Sequence, residues 1–196
     1  MPMNISTELT LFEYLTGKMS EQAKSSNITI SDDTLCYVGN LLSNFCHSNE
    51  LLVINQSKKE LPTLAFLYKD ARETNNPRLR MNLLRKLGDS ALFMGAWFAY
   101  FYRKKGIGKD YFVGMGCAAY DYLANNAYNQ RGIYNELAVN LPSVLALTSS
   151  ALARDENYST SEIFSMYQQY LNTKDASLKQ HLHALGIQVN ESNYIN

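Results

Sequence analysis

Apolar residues recur at three- and four-residue steps along nearly the whole chain, the spacing that gathers them on one face of an α-helix. Leu9, Phe12, Leu15 and Met19 predict a first helix over about residues 6–24. Ser31 then stands as an N-cap, with Asp32 and Asp33 against the positive end of the helix dipole. Leu35, Val38, Leu42 and Phe45, with Leu41 at the edge, carry this second helix to about residue 48. The run LLVINQSKKE is a short strand or a loop, since four apolar residues in a row have no period of their own. Pro62 opens a third helix with Leu64, Leu67, Tyr68 and Ala71 on its apolar face, and Asn76-Pro77 supplies the cap and first residue of a fourth.

The fourth segment runs over about 78–105 on Leu79, Leu83, Leu87, Leu92, Gly95, Phe98 and Tyr102, and Gly88 is expected to kink or divide it. A glycine inside a helix costs about 1 kcal/mol relative to alanine, so repeated glycine needs a packing reason. Gly88, Gly95, Ala96 and Ala99 offer one, and so do Gly114, Gly116, Ala118 and Ala119 in the fifth helix. With the GIG turn at 106–108 between them, the two predict a tight antiparallel hairpin at the centre of the fold. Gly132 sets off a sixth helix, about 133–152, kinked or restarted at Pro142. Ser159 and Glu162 form a capping-box pattern for a seventh, about 160–172, and Gly186 closes an eighth, about 175–185. The polar stretch from about 187 to 196 reads as a loose tail. No linker divides the chain, so the reading is one compact all-α domain of seven or eight helices over 1–196.

Composition narrows the function more than the fold. Hydrophobic residues make up 46% of 196, enough for a core without disulfide staples. Lys plus Arg equals Asp plus Glu, 18 against 18, so no net field recruits nucleic acid or anionic lipid. Three cysteines without a C-x-x-C pair argue against a secreted disulfide framework and for a reducing cytoplasm. The start, MPMNISTELTLFEYL, lacks the basic region of a signal peptide. Ser90 to Tyr102 is uncharged for 13 residues but closed by Asp89 and Arg103-Lys104-Lys105. A membrane-spanning helix needs about 20 apolar residues, so this stretch reads as a buried helix and not as an integral membrane segment.

Catalytic patterns are missing from the sequence. There is no E-x-x-H pair, no G-x-S-x-G and no phosphate-binding loop around GIGKD. His181 and His183 would point about 200° apart on a helix, and adjacent Cys46-His47 meets the same objection. Cys36, Cys46 and Cys117 read as small packing residues. Neither a metal nor a cofactor is therefore expected, and no catalytic residue is assigned. Asp89 is the carboxylate that stands out: an N-cap for a helix restarting after Gly88, the partner of Arg85 four residues earlier, or, partly buried on a continuous helix, a catalytic acid. With Tyr111, Tyr120 and Asp121 it could line the pocket of a small-molecule binder or enzyme between the two glycine-bearing helices. Tyr158, Phe164, Tyr167 and Tyr170 are candidates for contact with another protein, or for packing of the seventh helix onto the domain.

The segments DTLCYVGNLLSNF (33–45), LPTLAFLY (61–68), LLRKLGDSALFMGAWF (83–98) and DYFVGMGCAAYDYLA (110–124) resemble an uncharacterised family of bacterial all-helical proteins. The family pattern is L-G-D-x-x-L-F-x-x-G-x-F followed by D-Y-Y-x-x-M-G-x-x-A-Y; the chain departs from it at Ala96-Trp97 and at Phe112. That resemblance implies a helical fold and carries over no catalytic residue. Size, neutral charge and Asn/Ser/Lys-leaning composition are also similar to the adaptor proteins of the Dot/Icm type IVB secretion coupling complex. This similarity implies a non-enzymatic protein that binds chaperone-like partners and helps recruit effectors.

Overall fold

The computed structural model describes residues 9–47, 64–97, 106–151, 160–184 and 187–189. Among them the chain forms α1 (Leu11–Ser25), α2 (Asp32–His47), α3 (Leu64–Glu73) and α4 (Pro77–Trp97). It continues with α5 (Lys109–Asn126), α6 (Arg131–Ala151), α7 (Thr160–Thr173) and α8 (Ala176–Ala184). The domain is all-α, as the periodicity predicts. The Pro62 start, the aromatic residues 98–102 and the Ser159 capping box lie outside the described residues.

Local chemistry sets the helix starts. Thr10 and Glu13 make a capping box on α1, the hydroxyl accepting from Glu13 N–H and the carboxylate accepting from Thr10 N–H. Asn76 Oδ1 accepts from Arg78 N–H at 3.0 Å and Leu79 N–H at 3.3 Å, and Pro77 occupies the first helical position. Asp175 Oδ1 does the same for Ser177 N–H at 2.7 Å, opening α8. At α2 the Ser31 hydroxyl accepts from Thr34 N–H, but the start is also held from a distance. Glu136 of α6 accepts from Ser31 N–H at 2.9 Å and from the hydroxyls of Ser31 and Thr34.

The centre is an antiparallel pairing of α4 and α5, the most extensive helix contact in the molecule. Its register is legible in the glycines. A methyl at Gly88 would lie 2.9 Å from the Tyr120 ring, one at Gly95 3.0 Å from Phe112, and one at Gly116 2.4 Å from Leu141. Ala91 and Ala119 are fully buried in the same seam. Gly114 and Ala118 are exposed instead, so the small face of α5 is narrower than the sequence suggests. α6 packs along α5 and also reaches α4, with Leu145 beside Gly95 and Leu141 beside Gly116, and it runs through Pro142 without restarting. α1 and α2 cover α6, and their close approach needs Gly39, whose added methyl would meet Thr16 Oγ1.

Three expectations are corrected. On α1 the buried positions are Leu11, Leu15, Met19 and Ala23, so the core-facing stripe lies one residue before Phe12. Leu79 is 46% exposed, because the buried face of α4 begins at Leu84. The stretch from residue 187 is not loose at its start. Ile187 and Val189 are buried, and Ile187–Gln188 pairs in parallel with Leu9–Thr10. Two apolar residues in a polar run are enough to anchor it when a neighbouring backbone offers hydrogen bonds.

Candidate functional site

Gly88 does not divide α4. The helix is continuous from Pro77 to Trp97, so Asp89 sits in its interior and is not an N-cap. The missing side chain at Gly88 lets the Tyr120 ring of α5 lie close against α4, with its hydroxyl donating to Asp89 Oδ1 at 2.9 Å. From the opposite side Tyr37 of α2 donates to the same oxygen at 2.7 Å. Tyr134 of α6 completes the group, edge-on to Tyr37 (centroids 5.9 Å apart) and stacked with Tyr120 (6.1 Å). Three tyrosines from three helices thus surround one carboxylate. The glycine that reads as a packing notch is also what delivers a phenol to Asp89.

Arg85, one turn before Asp89, does not form an ion pair with it. The two phenols hold Asp89, the arginine acts on it only through space, and the Tyr134 hydroxyl donates to Gln130 Oε1 at 3.0 Å. Burial pushes the Asp89 carboxyl up to about 6, against the opposing pull of the two phenol hydrogen bonds and the Arg85 charge. Burial and the Asp89 charge push Tyr37 and Tyr120 above the ordinary phenol range, so both remain donors.

Both phenols bond Oδ1, and no donor among the described residues reaches Oδ2. Asp89 lies at the edge of a cleft of about 560 Å³ between α2, α4 and the start of α6. Its walls are mixed. Asp33, Tyr37, Asn40 and Asn44 come from successive turns of α2, with Leu41 and Phe45 beside them. Arg85 and Asp89 come from α4, and Gln130 and Ile133 close the third side. Phe45 stacks on buried Phe93 with centroids 4.3 Å apart, which stiffens that wall.

Of the four residues that the sequence suggests for a pocket, the fold brings together only Asp89 and Tyr120. Tyr111 packs edge-on to Phe112 (5.6 Å), near the Gly95 end of the seam and away from the cleft. Asp121 points to solvent although it follows Tyr120, because adjacent helical residues diverge by about 100°. At Gly88, Gly95 and Gly116 the seam between α4 and α5 is filled by packing, and the cleft at Asp89 opens on the α2 side. The proposed contact residues Phe164, Tyr167 and Tyr170 are 2%, 3% and 1% exposed and belong to the core, which removes them as a docking surface. Tyr158 lies outside the described residues.

Tyr37, Tyr134 and the α2 amides are the site residues that sequence reasoning misses. Tyr37 stands next to Val38 of the apolar stripe, and a polar-tipped residue at a stripe's edge is the available signal. Its partner, 52 residues away, is not legible from it. No group of three or more His, Cys, Asp or Glu among the described residues is placed to hold a metal. No helix of the described residues is long and apolar enough to cross a membrane. A scan against protein-family models finds no match, and comparison with curated proteins and with solved structures finds none.

Proposed function

We propose that the protein is a binding domain for a small polar ligand, with the cleft over Asp89 as its site. One observation carries this reading: a carboxylate with one oxygen saturated by two phenols and the other without a protein donor, at the wall of a cleft large enough for a metabolite. The Tyr37 and Tyr120 hydroxyls hold Asp89 in one rotamer, so the ligand does not have to order it. Amides at Asn40, Asn44 and Gln130 add donors and acceptors around it.

Thermal denaturation against a library of small polar metabolites tests the reading. A ligand present at about 100 times its Kd stabilises the folded state by about 2.7 kcal/mol, a readable rise in Tm. Asn40→Trp, an exposed position on the cleft wall, should leave the Tm of the free protein unchanged and cancel the rise. If no compound raises the Tm, or the Trp variant responds as the wild type does, the site is not this cleft.

A different observation favours a second reading, in which the protein is an adaptor. Phe66 on α3 is 61% exposed and Tyr68 37%, an unusual display for a ten-residue helix. Under this reading the α3 face docks another protein, such as a chaperone-like component of a secretion coupling complex. Phe66→Asp would then abolish co-purification of that protein, whereas Asn40→Trp would not.

A further inference from the structure

We infer that the cleft takes a zwitterion of the amino-acid type, its ammonium on Asp89 and its carboxylate on Arg85; this rests on the cleft being a ligand site. Asp and Arg four residues apart on a helix face ordinarily satisfy each other. Here they do not: Tyr37 and Tyr120 both donate to Asp89 Oδ1, and no ion pair joins Asp89 to Arg85. Two opposite charges therefore line one cleft, a helical turn apart, without neutralising each other.

A ligand with a single charge would satisfy one of them and leave the other to be desolvated without compensation, which costs binding energy. A molecule with an ammonium and a carboxylate on one carbon meets both. Asp33 at the cleft margin gives acidic groups the majority, two carboxylates to one guanidinium, so the ammonium end has the stronger hold. Arginine offers the carboxylate a two-pronged, planar set of donors. Leu41 and Ile133 leave an apolar wall for the ligand's side chain, so a moderately apolar amino acid fits better than a strongly charged one.

Isothermal titration of the full chain tests this with the proteinogenic L-amino acids, their methyl esters, their N-acetyl derivatives and neutral polyols as probes. At least one free amino acid should bind. Its methyl ester and its N-acetyl derivative should each bind at least about tenfold more weakly, the equivalent of about 1.4 kcal/mol for each lost charge contact. Arg85→Gln, at an exposed position, should erase the difference between acid and ester, and Asp89→Asn that between free and acetylated amine. Esters that bind as well as acids, or an acid–ester difference that persists in Arg85→Gln, would overturn the zwitterion and leave the cleft reading standing. Binding of polyols alone would do the same. Failure of every probe to bind would overturn both.

Discussion

Replacing Asp89 by asparagine preserves the shape of the site and removes one charge. The amide oxygen can accept from Tyr37 and Tyr120 as Oδ1 does, and the amide nitrogen takes the place of Oδ2 toward the cleft. In the wild type the carboxyl is displaced by burial from 3.8 to about 6. That displacement corresponds to about 3 kcal/mol, since each pH unit is worth about 1.4 kcal/mol. The sign follows from proton binding. Between pH 3.8 and about 6 the folded protein holds a proton that the unfolded chain has released, so stability falls as pH rises through this window. Above it the folded state carries the full cost of an ionised Asp89. Urea unfolding followed by circular dichroism, at pH values from about 4 to about 8, separates this contribution from all the others, which cancel between wild type and variant. Asp89→Asn should match the wild type near pH 4 and exceed it by about 3 kcal/mol near pH 8. A difference that does not change with pH would refute the buried-carboxylate account, and so would a variant that is less stable at pH 8. A carboxylate that lowers stability at neutral pH is better explained by what it binds than by what it holds together.

Glu136 should behave in the opposite sense. Burial would raise its carboxyl, but the hydrogen bonds from Ser31 and Thr34 outweigh that and hold it below its ordinary value. Glu136→Gln should cost about 1–3 kcal/mol at neutral pH, and the deficit should shrink as pH falls through the lowered value, read by the same urea titrations. Gly116→Ala puts a methyl 2.4 Å from the Leu141 side chain in a fully buried seam, and its overpacking of about 1–3 kcal/mol should exceed the helix-propensity gain of about 1 kcal/mol. Gly114→Ala, with nothing within 4 Å, should instead stabilise by about 0.5–1 kcal/mol, and a shared sign for the two in thermal melts would contradict the packing of α5. Phe164→Ala should cost about 3–5 kcal/mol as a core truncation, and a variant with wild-type Tm would return α7 to the surface.

Much of the fold is legible along the chain because helices announce themselves locally. The three- and four-residue stripe of α2, the Asn76-Pro77 start of α4 and the Asp175 start of α8 rest on residues within one or two turns of each other. The glycine pattern of α4 and α5 goes further: glycine is costly in a helix, so its recurrence signals a partner, and the partner is there. The site is legible only in its centre. Asp89 stands out as a lone charge before an apolar run, but Tyr111 and Asp121 are drawn into the sequence reading by nearness in the chain, and distance along a helix says little about direction across it.

What the sequence determines by itself is the set of helices, several of their starts and the pairing surface at the middle, since propensity, capping and small-residue spacing act over a few residues. Tertiary structure alone decided that α7's aromatics are core and that Ile187 returns to pair beside Leu9. It also decided that Tyr37 and Tyr120 meet at one oxygen of Asp89. The physical reason is common to all three. Whether an aromatic faces solvent, whether a polar run is anchored, and whether a carboxylate is saturated or left with an open lone pair depend on which remote helix arrives to cover it. That arrangement is settled by packing the whole core at once.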